Sequence, residues 1–336
     1  MNTNRRHFLG LVGAATLLPS YAAHAQTARA KLRVKLNWIK NSQYAGEWLA
    51  ADQGYFEKEG LDVTFDAGGP NTPQAVVAVA GGSSDIGYSG WFPFLDALTQ
   101  GNQMVAIAAA EPKSPLGILS LARKPILKPA DLLKSKILIQ GANQKAAVEA
   151  TLTLNGLPND YTAVPAGFSP EPLVAGQGDG YTGFSTNEVV AVEKMGLKLG
   201  KDFFFVSFDD LGYRSYGAVL FCTRTFLTNN RPAVVGYVRG LIRGWRKNDE
   251  QPEQGARLAV ERFGRDYGLD LAQERLMNER HIPLTKANDN RKFLALDLNE
   301  MSGPMYAAAR ATGRKDLPDA NSIADLTVVD EAHAKL

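Results

Sequence analysis

The chain has 336 residues, with 37 basic and 35 acidic side chains, four histidines and one cysteine. Leaving out Arg5 and Arg6, which fall in an export-type N-terminal segment, 35 basic residues stand against 35 acidic ones, so there is no basic footprint for nucleic acid. Cys222, inside the apolar run GAVLFCT, cannot form an internal disulfide and reads as a buried thiol, and His281 and His333 alone offer little for a zinc or histidine-nucleophile centre, so no metal or cofactor is expected.

The first 25 residues carry no acid and read as an address: Arg5 and Arg6, the apolar run Phe8 to Leu18, then Ala23-His24-Ala25 as a cleavage site. The paired arginines followed by Phe8 and Leu9 resemble a twin-arginine signal, with a Sec signal as the alternative. The apolar run is too short to span a bilayer. A remainder of this length exceeds what one core usually supports, which predicts two domains.

From Lys31 the pattern alternates. Leu32 to Leu36 reads as a strand, Tyr44 to Glu59 as a helix ended by Gly60, and Leu61 to Phe65 as a strand. Next come a helix from Pro73 to Ala80, the strand Asp85 to Tyr88, the helix Phe92 to Thr99 and the strand Met104 to Ala110. A second set starts past Arg123, with strands at Lys136 to Gln140, Tyr161 to Val164, Asp179 to Phe184 and Phe203 to Phe208. Its helices are Asn143 to Asn155, Glu171 to Ala175 and Glu188 to Met195. Both sets predict largely parallel sheets covered by helices. The strand Gly217 to Thr223 then leads into helices at Arg231 to Lys247, Pro252 to Phe263, Ala272 to Arg280 and Arg291 to Thr312. No internal repeat stands out in the sequence.

In open α/β sheets ligands sit beyond the carboxyl ends of strands, so the residues just after each strand are the candidates. Asn37 and Trp38 follow the first strand, with Tyr44 and Glu47 in the helix beyond. Trp38 offers a flat face for stacking a ring and Asn37 a donor and an acceptor for its edge, although a Trp here also serves as a plug between helix and sheet. Ser89, Gly90 and Trp91 link a strand to a helix, where small residues let a ligand approach main-chain N–H groups, or simply make a tight turn. Ser89 has no histidine partner and is a poor nucleophile. Glu111 directly follows the strand Met104 to Ala110. Asn187 and Glu188 open a helix: Asn187 caps it in one reading, and in the other Glu188 accepts a ligand amine. Asp210, Tyr213 and Tyr216 precede the return strand, where the tyrosines close on a ring or pack between domains.

The stretch KLNWIKNSQYAGEWLAADQGYFEKEGLDVTF, together with GGSSDIGYSG, LVAGQGDGYTGFSTNEV and YGAVLFCT, resembles the substrate-binding proteins of ABC importers in the thiamine-pyrimidine-synthase-like group. That group includes nitrate, sulfonate, taurine and riboflavin binders, and the similarity is strongest to its pyrimidine-precursor branch. The resemblance implies an α/β type II periplasmic-binding-protein fold. It places lobe one at residues 31–122 and 213–336 and lobe two at 123–212, with a ligand cleft between them. It implies a periplasmic receptor acting as a monomer, with a small-molecule ligand and an inner-membrane permease as partners, and no enzymatic activity. In the pyrimidine binders the tryptophan matching Trp38 stacks the ring and the glutamate matching Glu188 takes its amino group. The expectation is a planar nitrogen heterocycle clamped between Trp38 and Trp91 or Tyr213, with Asn37, Ser89 and Glu188 reading its edge. An anion of the sulfonate, nitrate or taurine type, or riboflavin, is the alternative within the fold, and an enzyme of pyrimidine metabolism the alternative outside it. The chain departs from the branch at Val189, where N-E-P is common, and at Glu47, where an aromatic or small residue is common. The cysteine cluster of the fungal synthases is missing, which argues against their chemistry.

Overall fold

The computed structural model describes residues 28–286 and 292–336, so the export signal expected over the first 25 residues lies outside the described residues. Among the described residues ten strands form two five-stranded sheets. In the first sheet β1 (Ala30–Lys35), β2 (Leu61–Asp66), β3 (Ile86–Ser89) and β4 (Met104–Glu111) come from the N-terminal part of the chain. The second holds β5 (Leu116–Leu121), β6 (Lys136–Ile139), β7 (Thr162–Pro165), β8 (Gly180–Phe184) and β9 (Phe203–Ser207), after which β10 (Ala218–Thr223) returns to the first.

The sheet orders are β2-β1-β3-β10-β4 and β7-β6-β8-β5-β9. The expected parallel character holds for only half of the neighbouring pairs, β1 with β2 and β3 and β6 with β7 and β8, because each sheet contains one strand of opposite sense. β10 runs antiparallel to β3 and β4, and β5 antiparallel to β8 and β9. Both are the strands by which the chain arrives from the other sheet, and each enters between the third and fourth strands of its host. The two lobes therefore share one topology, a duplication that the sequence does not display.

Alternation along the inserted strands shows that both faces of each sheet are covered. Ala218, Leu220 and Cys222 point into a core with Trp48, Tyr237 and Leu241, whereas Val219 and Phe221 point to the opposite core with Trp91, Phe94 and Met305. In the second lobe Ile118, Ile137 and Ile139 face Val148 and Phe208, while Leu119 and Leu138 face Tyr181 and Phe203. Cys222 is free and buried, and burial pushes its thiol up to about 12.

Helices expected as continuous are interrupted for local reasons. The segment Tyr44 to Glu59 divides into Ala45–Asp52 and Tyr55–Lys58, because Gly54 adopts a left-handed φ of 65° between them. The helix expected from Arg231 begins at Arg224 and runs to Glu250, with a kink at Asn230 just before Pro232. Asn230 donates its side-chain amide to the Phe226 carbonyl there. Arg291 lies outside the described residues, and the helix expected from it to Thr312 is instead Leu298–Glu300, a π turn over Met301–Met305 and Tyr306–Ala311. A last helix, Thr327–His333, was not anticipated.

The long helix Arg224–Glu250 crosses helix Ala45–Asp52 at a point where both backbones are bare. A Cβ on Gly244 would meet the Gly46 carbonyl oxygen, and one on Gly46 would sit 2.5 Å from the Trp245 ring. Gly244→Ala is expected to cost about 1–3 kcal/mol by overpacking. Gly303→Ala, with nothing within 4 Å of the added carbon, is expected to change little; thermal unfolding of the two variants checks the contrast.

Candidate functional site

The crossing segments run side by side: Gly217 N–H donates to the Glu111 carbonyl, and Phe208 N–H to the Leu116 carbonyl. Salt bridges at this junction join Lys113 to Asp210 at 3.0 Å and Arg214 to Glu300 at 2.8 Å.

On the first lobe, the loop after β1 is held from two sides. The buried Tyr44 hydroxyl donates to Asn37 Oδ1 and accepts the Trp38 N–H at 2.9 Å. Beneath the loop, Gly68 N–H donates to the Trp38 carbonyl, and any Cβ on Gly68 would collide with the backbone of Leu36 and Asn37. Trp38 therefore has a fixed backbone while its ring remains 36% exposed.

From the second lobe, Phe168 meets that ring edge-on, with centroids 6.4 Å apart, and is itself 64% exposed. Its loop is fixed by a hydrogen-bond chain. Tyr181 Oη donates to the Gly167 carbonyl at 2.6 Å, and Gln140 Nε2 donates to Tyr181 Oη and to Glu188 Oε1. Glu188 accepts further bonds from Asn187 Nδ2 and from Phe184 N–H at 2.7 Å. Burial raises the Glu188 carboxyl above its ordinary value, against the pull of those donors. Trp38 and Glu188 thus stand on opposite lobes and are joined through Phe168 and its supporting chain. Asn187 occupies the helix N-cap without a capping side-chain bond, and its Oδ1 accepts from Gln273 at 3.4 Å.

The other predicted residues take these places. Glu47 is buried inside the first lobe, where Oε1 accepts the Tyr88 hydroxyl and Oε2 has no partner. Burial pushes its carboxyl up to about 8. Glu111 is buried at the crossing, accepts from Gln43 Nε2 at 3.0 Å and rises to about 7, again by burial. His281 Nε2 lies 3.6 Å from Glu111 Oε1, but burial takes that imidazole down to about 4, so near neutrality the contact is not an ion pair. Ser89 is buried and donates to the Gly90 carbonyl; Gly90 is half-buried. Trp91 and Tyr216 pack edge-on in the apolar core beside Tyr306. Tyr213 stacks on Phe92 where the lobes join, and Asp210 is exposed and bonded to Ser207 and Lys113. Asn37, Trp38, Tyr44, Glu47 and Glu111 are brought into one neighbourhood, with Tyr44 feeling the charge of both carboxyls. Trp91, Tyr213 and Tyr216 are not part of it.

Phe168 was missed by sequence reasoning, although it lies just after β7, where the rule about strand ends would have found it. A surface depression of about 820 Å³ on the first lobe, lined by Arg224, Leu227, Arg231 and Asp325 among others, contains none of these residues. Arg231 there is neutralised by Asp325 and Glu331. Among the described residues no group of three or more histidine, cysteine or acidic side chains could hold a metal ion, and no helix is long and apolar enough to cross a membrane.

Residues 41–255 match the family described as NMT1/THI5 like, which is more than half of the chain. The chain belongs to that family. It is 25% identical over 206 residues to the 4-amino-5-hydroxymethyl-2-methylpyrimidine phosphate synthase of Schizosaccharomyces pombe, covering 60% of this chain and only 58% of that protein. It is 24% identical over 236 residues to the formylaminopyrimidine-binding protein of Halalkalibacterium halodurans, covering 68% of this chain and 69% of that one. The periplasmic aliphatic sulphonate binding protein SsuA of Escherichia coli superposes with a TM-score of 0.68 at 20% identity, over 87% of this chain and 91% of that one. The fold of this NMT1/THI5-like chain is accordingly that of the periplasmic binding proteins, two α/β lobes with mixed sheets.

The buried carboxyls of this family member give a signed pH dependence. Glu47 and Glu111 retain in the folded state a proton that a solvated carboxyl, with its ordinary value of 4.5, releases on unfolding, so the unfolded state binds fewer protons and stability falls as pH rises toward 8. The depressed His281 acts oppositely, but only below its ordinary 6.5. Between about pH 6.5 and 8 the carboxyls alone set the slope, and Glu47→Gln is expected to remove about 2 kcal/mol of loss across that window. Thermal or urea unfolding at a series of pH values measures it, and parallel profiles for variant and parent would contradict the assignment.

Proposed function

We propose that this chain is an exported receptor of an ABC importer that captures a small planar nitrogen heterocycle of the pyrimidine-precursor type between Trp38 and Phe168. The observation that carries the reading is the meeting of these two partly open aromatic rings from opposite lobes, each on a loop held by partly buried hydrogen bonds. Trp38 offers a stacking face without a large ordering cost, because its loop is already held in place, and Phe168, which meets that ring edge-on here, would turn to close over a bound ring. Asn37, beside Trp38, supplies an edge-reading amide, and Glu111 at the crossing supplies a carboxyl for a ring amine. Glu188 acts in this scheme by holding the Phe168 loop. The ligand would be delivered to an inner-membrane permease, and the receptor would act without chemical turnover.

Several features weigh against an anionic ligand. The buried ionisable groups of this region include Glu47, Glu111 and Glu188, and of the four loop cations Lys40, Lys113, Lys145 and Arg214 the last three are paired with Asp210, Glu149 and Glu300, which leaves Lys40, two residues past Trp38, as the cation an anion would have to use. An unpaired anion placed among partly charged carboxyls would be repelled. The named activity of the S. pombe relative keeps a synthase as the second reading, and turnover of a pyrimidine product by the purified chain would establish it.

Isothermal titration with 4-amino-5-hydroxymethyl-2-methylpyrimidine, formylaminopyrimidine, riboflavin, nitrate and an alkylsulfonate tests the assignment. Binding of an aminopyrimidine near micromolar, about 8 kcal/mol, is expected. Phe168→Ala should weaken it by about 1–3 kcal/mol while leaving the unfolding transition in place, since the ring is mostly exposed. Heat from the sulfonate with none from any ring compound would overturn the proposal. Gly68→Ala, which pushes on the Trp38 loop from below, is expected to weaken the same ligand without touching it.

A further inference from the structure

Helix Leu271–Thr285 occupies an unusual position, because it is anchored in the first lobe on two sides and reaches the second on another. Its Glu274 accepts the Ser42 N–H at 2.8 Å and the Ser42 hydroxyl at 2.6 Å, which ties it to the loop carrying Trp38. Its His281 stacks on Trp245 and lies beside Glu111 at the crossing. Toward the second lobe it faces helix Glu188–Lys194. Arg280 pairs with Glu193 at 2.5 Å and donates to the Ser185 carbonyl, and Asp270, which caps the helix, pairs with Lys194 at 3.0 Å. Gln273 bonds both Lys194 and Asn187.

We propose that this pair of helices is an electrostatic closure latch, in which Arg280–Glu193 and Asp270–Lys194 set how far the two lobes part and how fast a captured ligand escapes. The second-lobe helix begins at the Asn187–Glu188 pair that steadies the Phe168 loop, so engaging the latch and bringing Phe168 against Trp38 are one movement of one rigid unit. The contacts are built for this use. Arg280 and Glu193 are about three-quarters covered, at 26% and 27% side-chain exposure, which makes their pairing worth more than a fully solvated pair. Lys194 and Asp270 are at 43% and 57%, so that pair contributes mainly through charge sign and is screened by salt. The bonds that join the two helices are ion pairs and amide hydrogen bonds, whose groups water can satisfy when the helices part. The latch lies between protein groups, so its action is independent of which ligand the cleft takes. Arg280 and Glu193 are positioning residues and touch no ligand in this scheme.

Small-angle X-ray scattering of the ligand-free protein tests the latch separately from the ligand assignment. The set comprises the parent, Arg280→Glu, Glu193→Arg and the double exchange, each at low and high salt. Each single reversal places like charges face to face and is expected to enlarge the radius of gyration, and the double exchange to return it to the parent value. High salt should enlarge the parent and the double exchange while changing the singles less. With 4-amino-5-hydroxymethyl-2-methylpyrimidine as probe, the singles should release it about tenfold faster, with little change in association rate, and the double exchange should restore slow release. If the probe does not bind, the scattering series still decides. Single reversals that scatter like the parent, or a double exchange as expanded as either single, would refute the latch. Should a reversal fail to fold, Arg280→Gln and Glu193→Gln carry the same comparison, and parental dimensions in both would refute it equally.

Discussion

The arrangement depends on one constraint of strand pairing: each sheet is completed by a strand that arrives from the other lobe and inserts antiparallel between the third and fourth strands of its host. A strand inserted there is hydrogen-bonded on both edges, so the two crossing segments cannot shift without breaking ladders in both lobes. They leave the sheets at fixed points, Glu111 and Ser207, and loops beyond the strands of the two lobes meet at Trp38 and Phe168. The placement of Trp38 opposite Phe168 follows from that geometry, because each lies in a loop just past a strand of its own sheet.

The interior of the first lobe holds a polar network within its apolar core. Glu47, Tyr44, Tyr88, Glu111 and His281 are buried together or in sequence, and the tyrosine hydroxyls are committed to Glu47 and Asn37. Such a network specifies geometry at a cost in desolvation, which burial expresses as raised carboxyl pKa values and a lowered imidazole. It steadies the Trp38 loop from within, as the Glu188–Gln140–Tyr181 chain steadies the Phe168 loop on the other side. Polar residues that looked like ligand contacts when taken one at a time are, for Tyr44, Glu47 and Glu188, bonded to other protein groups in the structure.

The order of strands and helices was legible because apolar periodicity and the glycine stops record burial directly, and the two-lobe α/β architecture followed from it. The aromatic candidates were harder. Trp38 and Trp91 both follow strands, and in sequence nothing separates them; yet Trp38 is left partly open and Trp91 is enclosed by Tyr216 and Tyr306, which come from distant parts of the chain. Phe168 carried a positional signal but no compositional one, since a lone phenylalanine in AGFSPEP resembles any loop residue. The kink at Asn230, the π turn at Met301–Met305 and the last helix were hidden because each is set by packing against the sheet or by a single proline.

What the sequence by itself determined is local: which segments are extended or helical, where glycine permits a turn, and that the residues past the strand ends are rich in aromatic and amide groups. Only the tertiary structure decided which of those groups share a neighbourhood. Period and propensity act over a few neighbouring residues, whereas the exposure of Trp38, the burial of Glu47 and the pairing of Arg280 with Glu193 depend on elements separated by tens to hundreds of positions in the chain. Their contacts are fixed by how two interleaved sheets bring those elements together.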